Sequence, residues 1–176
     1  SEWADIKEAC EDMLRIINSI ELFIADVEED YAGFSEDTVK SSDVPALDKL
    51  AGKVNEIKDR YGFNLTDEEV KKLEDILDGI EKLKEKIAET EEKLEEIKGI
   101  ENNFNPENVS SDDKAAIEDK IAEIEEVNPD NLTDEQKAEY EEIKAGFEAL
   151  LEEITAAEKT VADIGIELEM FDEKRV

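Results

Sequence analysis

The sequence predicts an all-α protein: antiparallel helical bundles of alternating long and short helices, in tandem repeats of about 67–70 residues that build an elongated rod. Three observations carry that prediction. Asn64, Leu65, Thr66, Asp67 and Glu68 recur as Asn131, Leu132, Thr133, Asp134 and Glu135, and from 64 to 97 the residue 67 positions downstream is identical at 14 of 34 places. Such a period means an array of like modules rather than one globule around one site. Apolar residues keep steps of three and four through the acidic stretches, the spacing of helices packed lengthwise. With 42% charged residues, 6% aromatics, three prolines and seven glycines, the composition suits long solvated helices better than a sheet-based enzyme.

The first long helix, 2–31, carries the seam Trp3, Ile6, Cys10, Met13, Ile17, Ile20, Ile24, Val27 and Tyr31. Cys10 shares its seam position with Ile80 and Phe147, so it is expected as a small buried apolar residue. A short helix, 43–61, follows with Leu47, Leu50, Val54, Ile57 and Tyr61. Pro45 fits its first turn, where a missing N–H costs nothing. The second long helix, 66–100, reads Leu73, Ile76, Ile80, Leu83, Ile87, Leu94 and Ile97, with Thr90 in the vacant seat. A second short helix, 111–127, carries Ile117, Ile121, Ile124 and Val127, and the third long helix, 133–171, runs from Tyr140 through Ile154, Val161 and Ile164 to Leu168 and Phe171. Thr66 with Glu69, and Thr133 with Gln136, fit the capping box that opens a helix. Leu14, Val70, Leu77 and Leu151 widen the apolar stripe, so each helix is expected to touch two neighbours.

The N-terminal part joins the series at an offset of 70, aligning Trp3 with Leu73 and Tyr140. The loops agree too, with Phe34 and Val39 recurring as Phe104 and Val109 and then as Phe171 and the terminal Val176. Those apolar pairs are expected to pack down onto helix sides. Tight short-to-long connections make neighbouring helices antiparallel. Two three-helix bundles result, 1–100 and 66–176, sharing the helix 66–100. At 1.5 Å per residue the short helices span roughly 27 Å and the long ones roughly 51 Å, so a shared long helix would offset the bundles along one axis. A side-by-side solenoid is the rival geometry. The chain reads as about two and a half repeats, beginning inside one and stopping inside another. Gly79 and Gly146 recur mid-helix, with Ala9 as their counterpart, and suggest close approach of a neighbouring element.

The formal net charge of −32 repels phosphates and anionic headgroups, which argues against nucleic acid as a partner. No stretch approaches the roughly 20 apolar residues of a membrane span, so no membrane insertion is expected. Histidine is absent, removing the commonest general base and metal ligand. With 53 acidic residues carboxylate pairs arise by chance, and neither a catalytic site, a metal site nor a cofactor is expected. Residues 132–140 with Phe147 look like the opening helix of the calmodulin family, but no calcium loop of alternating oxygen ligands follows. Asn64, Asn108 and Asn131 begin glycosylation sequons, yet Thr66, Ser110 and Thr133 are more simply read as helix caps. The first helix has an extra apolar set, Ile16, Leu22 and Phe23, where later long helices carry charges such as Lys86, Glu92 and Lys93. That set faces either another repeat or a partner.

The openings at Asn64, Asn108 and Asn131 on Ala-, Glu- and Lys-rich helices resemble the tandem helical-bundle repeats of large Gram-positive cell-surface proteins. The resemblance covers nearly the whole chain. It implies an extracellular, bacterial, non-enzymatic spacer or adhesive role, with neighbouring repeats of the same chain and a host or cell-surface protein as partners, and no cofactor. A protein-binding module that uses a bundle face or the N-terminal helix is the alternative.

Overall fold

The protein is represented by a computed structural model that describes residues 1–101, 104 and 108–174. Among them are five α-helices and no strand: α1 (Glu2–Ala32), α2 (Val44–Tyr61), α3 (Asp67–Glu101), α4 (Lys114–Glu125) and α5 (Asp134–Glu173). The chain divides into two compact units, Ser1–Glu89 and Thr90–Val176, and the division falls inside α3.

Helices α3 and α5 start where side chains satisfy orphan N–H groups. Thr66 N–H donates to Glu69 Oε2 at 2.8 Å and Glu69 N–H to Thr66 Oγ1 at 3.3 Å. The same exchange links Thr133 and Gln136, at 3.0 and 3.3 Å. Both short helices are entered through a single 3-10 turn, Ser41–Asp43 and Ser111–Asp113. There Asp43 accepts from Lys40 N–H and Asp113 from Ser110 N–H, each at 2.9 Å. This turn corrects the expected limits of the second short helix: α4 begins at Lys114 rather than 111. It also ends earlier, at Glu125 instead of 127. Glu126 and Val127 donate to carbonyls three residues back, and Pro129 disfavours helical backbone at Asn128.

In the first unit, α1 contributes Ile20, Ile24 and Val27 to the core, α2 contributes Leu47, Leu50, Val54 and Ile57, and α3 contributes Leu73 through Ile87 at seam spacing. Cross-helix ion pairs fix the directions. Lys53 reaches Asp26 and Asp30 on α1, while Lys58 and Lys84 of α2 and α3 meet Glu74 and Asp48. Early residues of α2 thus lie by late residues of both α1 and α3, and α2 runs antiparallel to the two long helices. Val39 is fully buried and Phe34 packs beside it, so the α1–α2 loop is held down as expected. Gly79 has a steric reason: a Cβ there would come within 1.9 Å of the Tyr31 hydroxyl.

The core of the second unit is built from Leu94 and Ile97 of α3, Ile117 and Ile124 of α4, and Tyr140, Ile143, Phe147, Leu150 and Ile154 of α5. Lys144 pairs with Glu125 and Lys114 with Glu158, which sets α4 antiparallel to α5. Phe104 and Val109 pack onto this core, and Phe104 meets Phe147 edge-on at 5.6 Å between ring centroids. Val176, the third member of the loop series, lies outside the described residues. Gly146 has open space where Gly79 has Tyr31, so only one of the two glycines answers to a close approach.

The seam of α1 departs from expectation over its first half. Trp3 is 81% exposed, and Ile6, Cys10, Met13, Leu14 and Ile17 are exposed as well. Cys10 is therefore not a buried core residue. The cause is length: α2, at 18 residues, covers α1 only from Ile20 onward, and no other element of the unit packs on the earlier turns. In the far half of α5, Val161, Ile164 and Leu168 are exposed as well.

Candidate functional site

One concave apolar feature stands out in the first unit, a groove of about 200 Å³ between α1 and α2. The antiparallel crossing that seats Lys53 against Asp26 and Asp30 brings the last turn of α2 beside the middle of α1. Phe23 and Tyr61 stack there, with centroids 5.9 Å apart and planes inclined by 27°. Val27 and Ile57 form the floor. The Arg60 guanidinium lies 5.3 Å from the Tyr61 ring centroid, a cation–π geometry. Asp26, Lys53 and Glu56 complete the rim, so formal charges balance around an apolar floor.

Lys53 is the most strongly engaged of these groups. Its hydrogen bonds to Asp30 at 2.6 Å and Asp26 at 3.1 Å hold the amine above its ordinary pKa, against the opposing effect of burial. It stays a cation throughout the physiological range and serves as a strut between α1 and α2. The groove's volume is below that of ordinary small-molecule pockets and suits one or two side chains of a partner.

Of the residues singled out in the sequence, only Phe23 enters this groove, 43% exposed. Ile16 sits two helical turns earlier on nearly the same stripe, 37% exposed, and Leu22 points elsewhere on α1 and is 71% exposed. The three therefore do not form one cluster. Sequence reasoning missed Tyr61 and Arg60 as partners of Phe23, because Tyr61 was read as an ordinary seam residue. A usable signal was present in the sequence: 67 residues on from Arg60 and Tyr61 stand Val127 and Asn128, and 70 on from Phe23 stands Lys93. In the second unit Lys93 pairs with Glu126. The aromatic groove thus belongs to the first unit.

The sequon at Asn131 is closed in the folded chain, since Asn131 is 3% exposed and Thr133 caps α5. Among the described residues no group of three or more histidine, cysteine, aspartate or glutamate side chains is arranged to hold a metal ion. No described helix is long and apolar enough to cross a membrane. Set beside family models, curated proteins and solved structures, the chain matches none of them.

Proposed function

We propose that this chain is a non-enzymatic structural repeat module, a spacer or stalk segment of a larger bacterial cell-surface protein, whose tandem three-helix bundles share a long helix and form a rod. The observation that carries this reading is α3. One uninterrupted helix supplies Leu73 to Ile87 to one core and Leu94 and Ile97 to the other. A helix used in this way ties length to repeat number, as quasi-one-dimensional arrays do. The negative surface keeps neighbouring rods apart. Small-angle scattering of the monomer tests the reading, because a globule of this length would have a radius of gyration of about 16 Å and a rod exceeds it clearly. A value at the globular figure favours side-by-side stacking and removes the spacer.

The groove of Phe23, Arg60 and Tyr61 favours a second reading, a protein-binding module acting through α1 and α2. Aromatic and arginine side chains are what anchors at protein interfaces are made of. Screening against serum and matrix proteins separates the two readings. A spacer retains nothing, whereas a binding module captures a partner that the Phe23→Ala variant loses.

A further inference from the structure

The groove between α1 and α2 lies wholly within the first unit, and its charges balance in number but not in pairing. Lys53 is held by Asp26 at 3.1 Å and by Asp30 at 2.6 Å. The Arg60 guanidinium is met by the Tyr61 ring, 5.3 Å from its centroid. Glu56, at the lip, is exposed and makes no side-chain hydrogen bond or ion pair among the described residues. It stands one turn before Arg60 on α2, a spacing at which a glutamate and a cation ordinarily meet, yet the guanidinium stays on the ring. The charge left unanswered beside the apolar floor is therefore a carboxylate. The floor itself is firm, with Val27 1% and Ile57 6% exposed, so the core has already built this seat and a ligand need not open it.

We propose that the groove seats one large apolar side chain of a basic protein partner, with a lysine or arginine beside that anchor meeting Glu56. Size, order and charge select this occupant. A volume of about 200 Å³ admits an anchoring side chain and leaves the rest of the partner outside. Phe23 and Tyr61 are already ordered against each other, with centroids 5.9 Å apart, so an aromatic or aliphatic anchor meets their rings at little further cost in side-chain entropy. A net charge of −32 draws cationic partners towards the chain and turns acidic ones away at distances longer than any contact. That attraction alone would hold a basic partner anywhere on the acidic surface; the groove gives it one address. The proposal rests on the reading of the chain as a protein-binding module and names the chemistry of the partner.

Short labelled peptides titrated with the full chain test this by fluorescence anisotropy, at about 0.15 M salt, where charges are screened beyond about 8 Å. The probes are a tryptophan flanked by lysines, the same peptide with alanine in place of the tryptophan, and the tryptophan flanked by glutamates. The lysine-flanked tryptophan is expected to bind tightest, and alanine at the anchor to weaken binding by about tenfold or more, as loss of an interface anchor does. Phe23→Ala should remove the same factor, and Glu56→Gln about threefold, the share of an exposed ion pair. Both side chains are exposed, so the fold survives either change and circular dichroism checks it. If the alanine peptide binds as tightly as its tryptophan parent, or Phe23→Ala leaves the affinity unchanged, the diffuse negative surface is acting and the groove is overturned as the seat. An unchanged affinity in Glu56→Gln strikes out the cation contact. A glutamate-flanked tryptophan that binds as well as the lysine-flanked one, and is lost in Phe23→Ala, overturns the basic partner while the binding module stands. A chain that holds neither tryptophan peptide overturns both.

Discussion

Gly79 and Gly146 lie 67 residues apart, each inside a long helix, and answer to different physics. In the first unit Tyr31 descends onto Gly79, so that even a methyl group would strike its ring. In the second unit Gly146 faces open space, and the loop is anchored instead by Phe104 lying edge-on to Phe147. The neighbours explain the difference: position 80 is Ile80 in one unit and Phe147 in the other, while the counterpart of Tyr31 is Glu101. The two bundles keep the same helical frame but fasten the loop end through unrelated aromatic contacts. A shared position in the sequence pattern does not carry a shared physical reason.

The anchoring contact gives the largest way to break this comparison. Phe147→Ala removes a buried ring and the partner of Phe104, and core truncations of this kind cost about 3–5 kcal/mol. Urea unfolding followed by circular dichroism measures it. A loss below about 1 kcal/mol would mean that the ring does not hold the second unit together, since even a well-relaxed cavity costs more than that.

The glycines themselves sharpen the comparison, because the same substitution should have opposite signs. Gly146→Ala gains helix propensity with nothing in the way, a stabilisation of about 1 kcal/mol. Gly79→Ala makes the same gain but must displace Tyr31, and overpacking costs about 1–3 kcal/mol, so the net effect is destabilising by about 1 kcal/mol. In a Tyr31→Ala background Gly79→Ala turns stabilising. If both single substitutions stabilise the wild type, Tyr31 moves aside freely and Gly79 has no packing role.

The caps should not distinguish the units at all. Thr66→Ala and Thr133→Ala each remove a hydroxyl that accepts from a backbone N–H, and each should cost about 1 kcal/mol. Unequal losses would show that one helix start is held by something other than its cap.

These contrasts mark what was legible in the sequence. Helix frames were, because a seam of Leu73, Ile76, Ile80 and Leu83 fits only one periodicity, and helix starts were, because Thr66 with Glu69 names its own hydrogen bonds. Burial along a seam was not. Trp3 and Ile6 repeat the rhythm of Leu73 and Ile76, yet the first pair is exposed and the second buried. Periodicity records that a face is apolar, while the length of α2 decides how much of it is covered. A close approach at Gly79 was legible, but Tyr31 as its partner was not, since that depends on how α1 and α3 cross. The groove lay between these cases: Phe23 was conspicuous as an apolar residue among charges, but its pairing with Tyr61 needed the antiparallel α2 to bring the rings together.

The smallest expected effect is a difference in alkaline stability. Tyr140 is buried in the second unit where the first has Leu73, and burial raises its phenol above the ordinary value, with Lys144 pulling the other way. In both units lysines are raised as well. Hydrogen bonds to Asp30, Asp48, Glu139, Glu158 and Glu125 do this for Lys53, Lys84, Lys98, Lys114 and Lys144 respectively. A group whose folded pKa lies above its unfolded one contributes its stability fully below the unfolded value and loses it as pH climbs through the folded value. For the phenol and the amines alike that window opens at about pH 10. The urea midpoint should therefore stay level from neutral pH to about pH 9 and fall beyond about pH 10. Tyr140→Phe should shallow that fall, because a phenylalanine cannot ionise in the unfolded chain, while leaving the lysine contribution in place. The lysines are half-buried and still reach solvent, and screening there keeps their individual shares small. A midpoint that rises above pH 10, or a Tyr140→Phe profile that overlays the wild type, would remove the buried phenol as a difference between the two units.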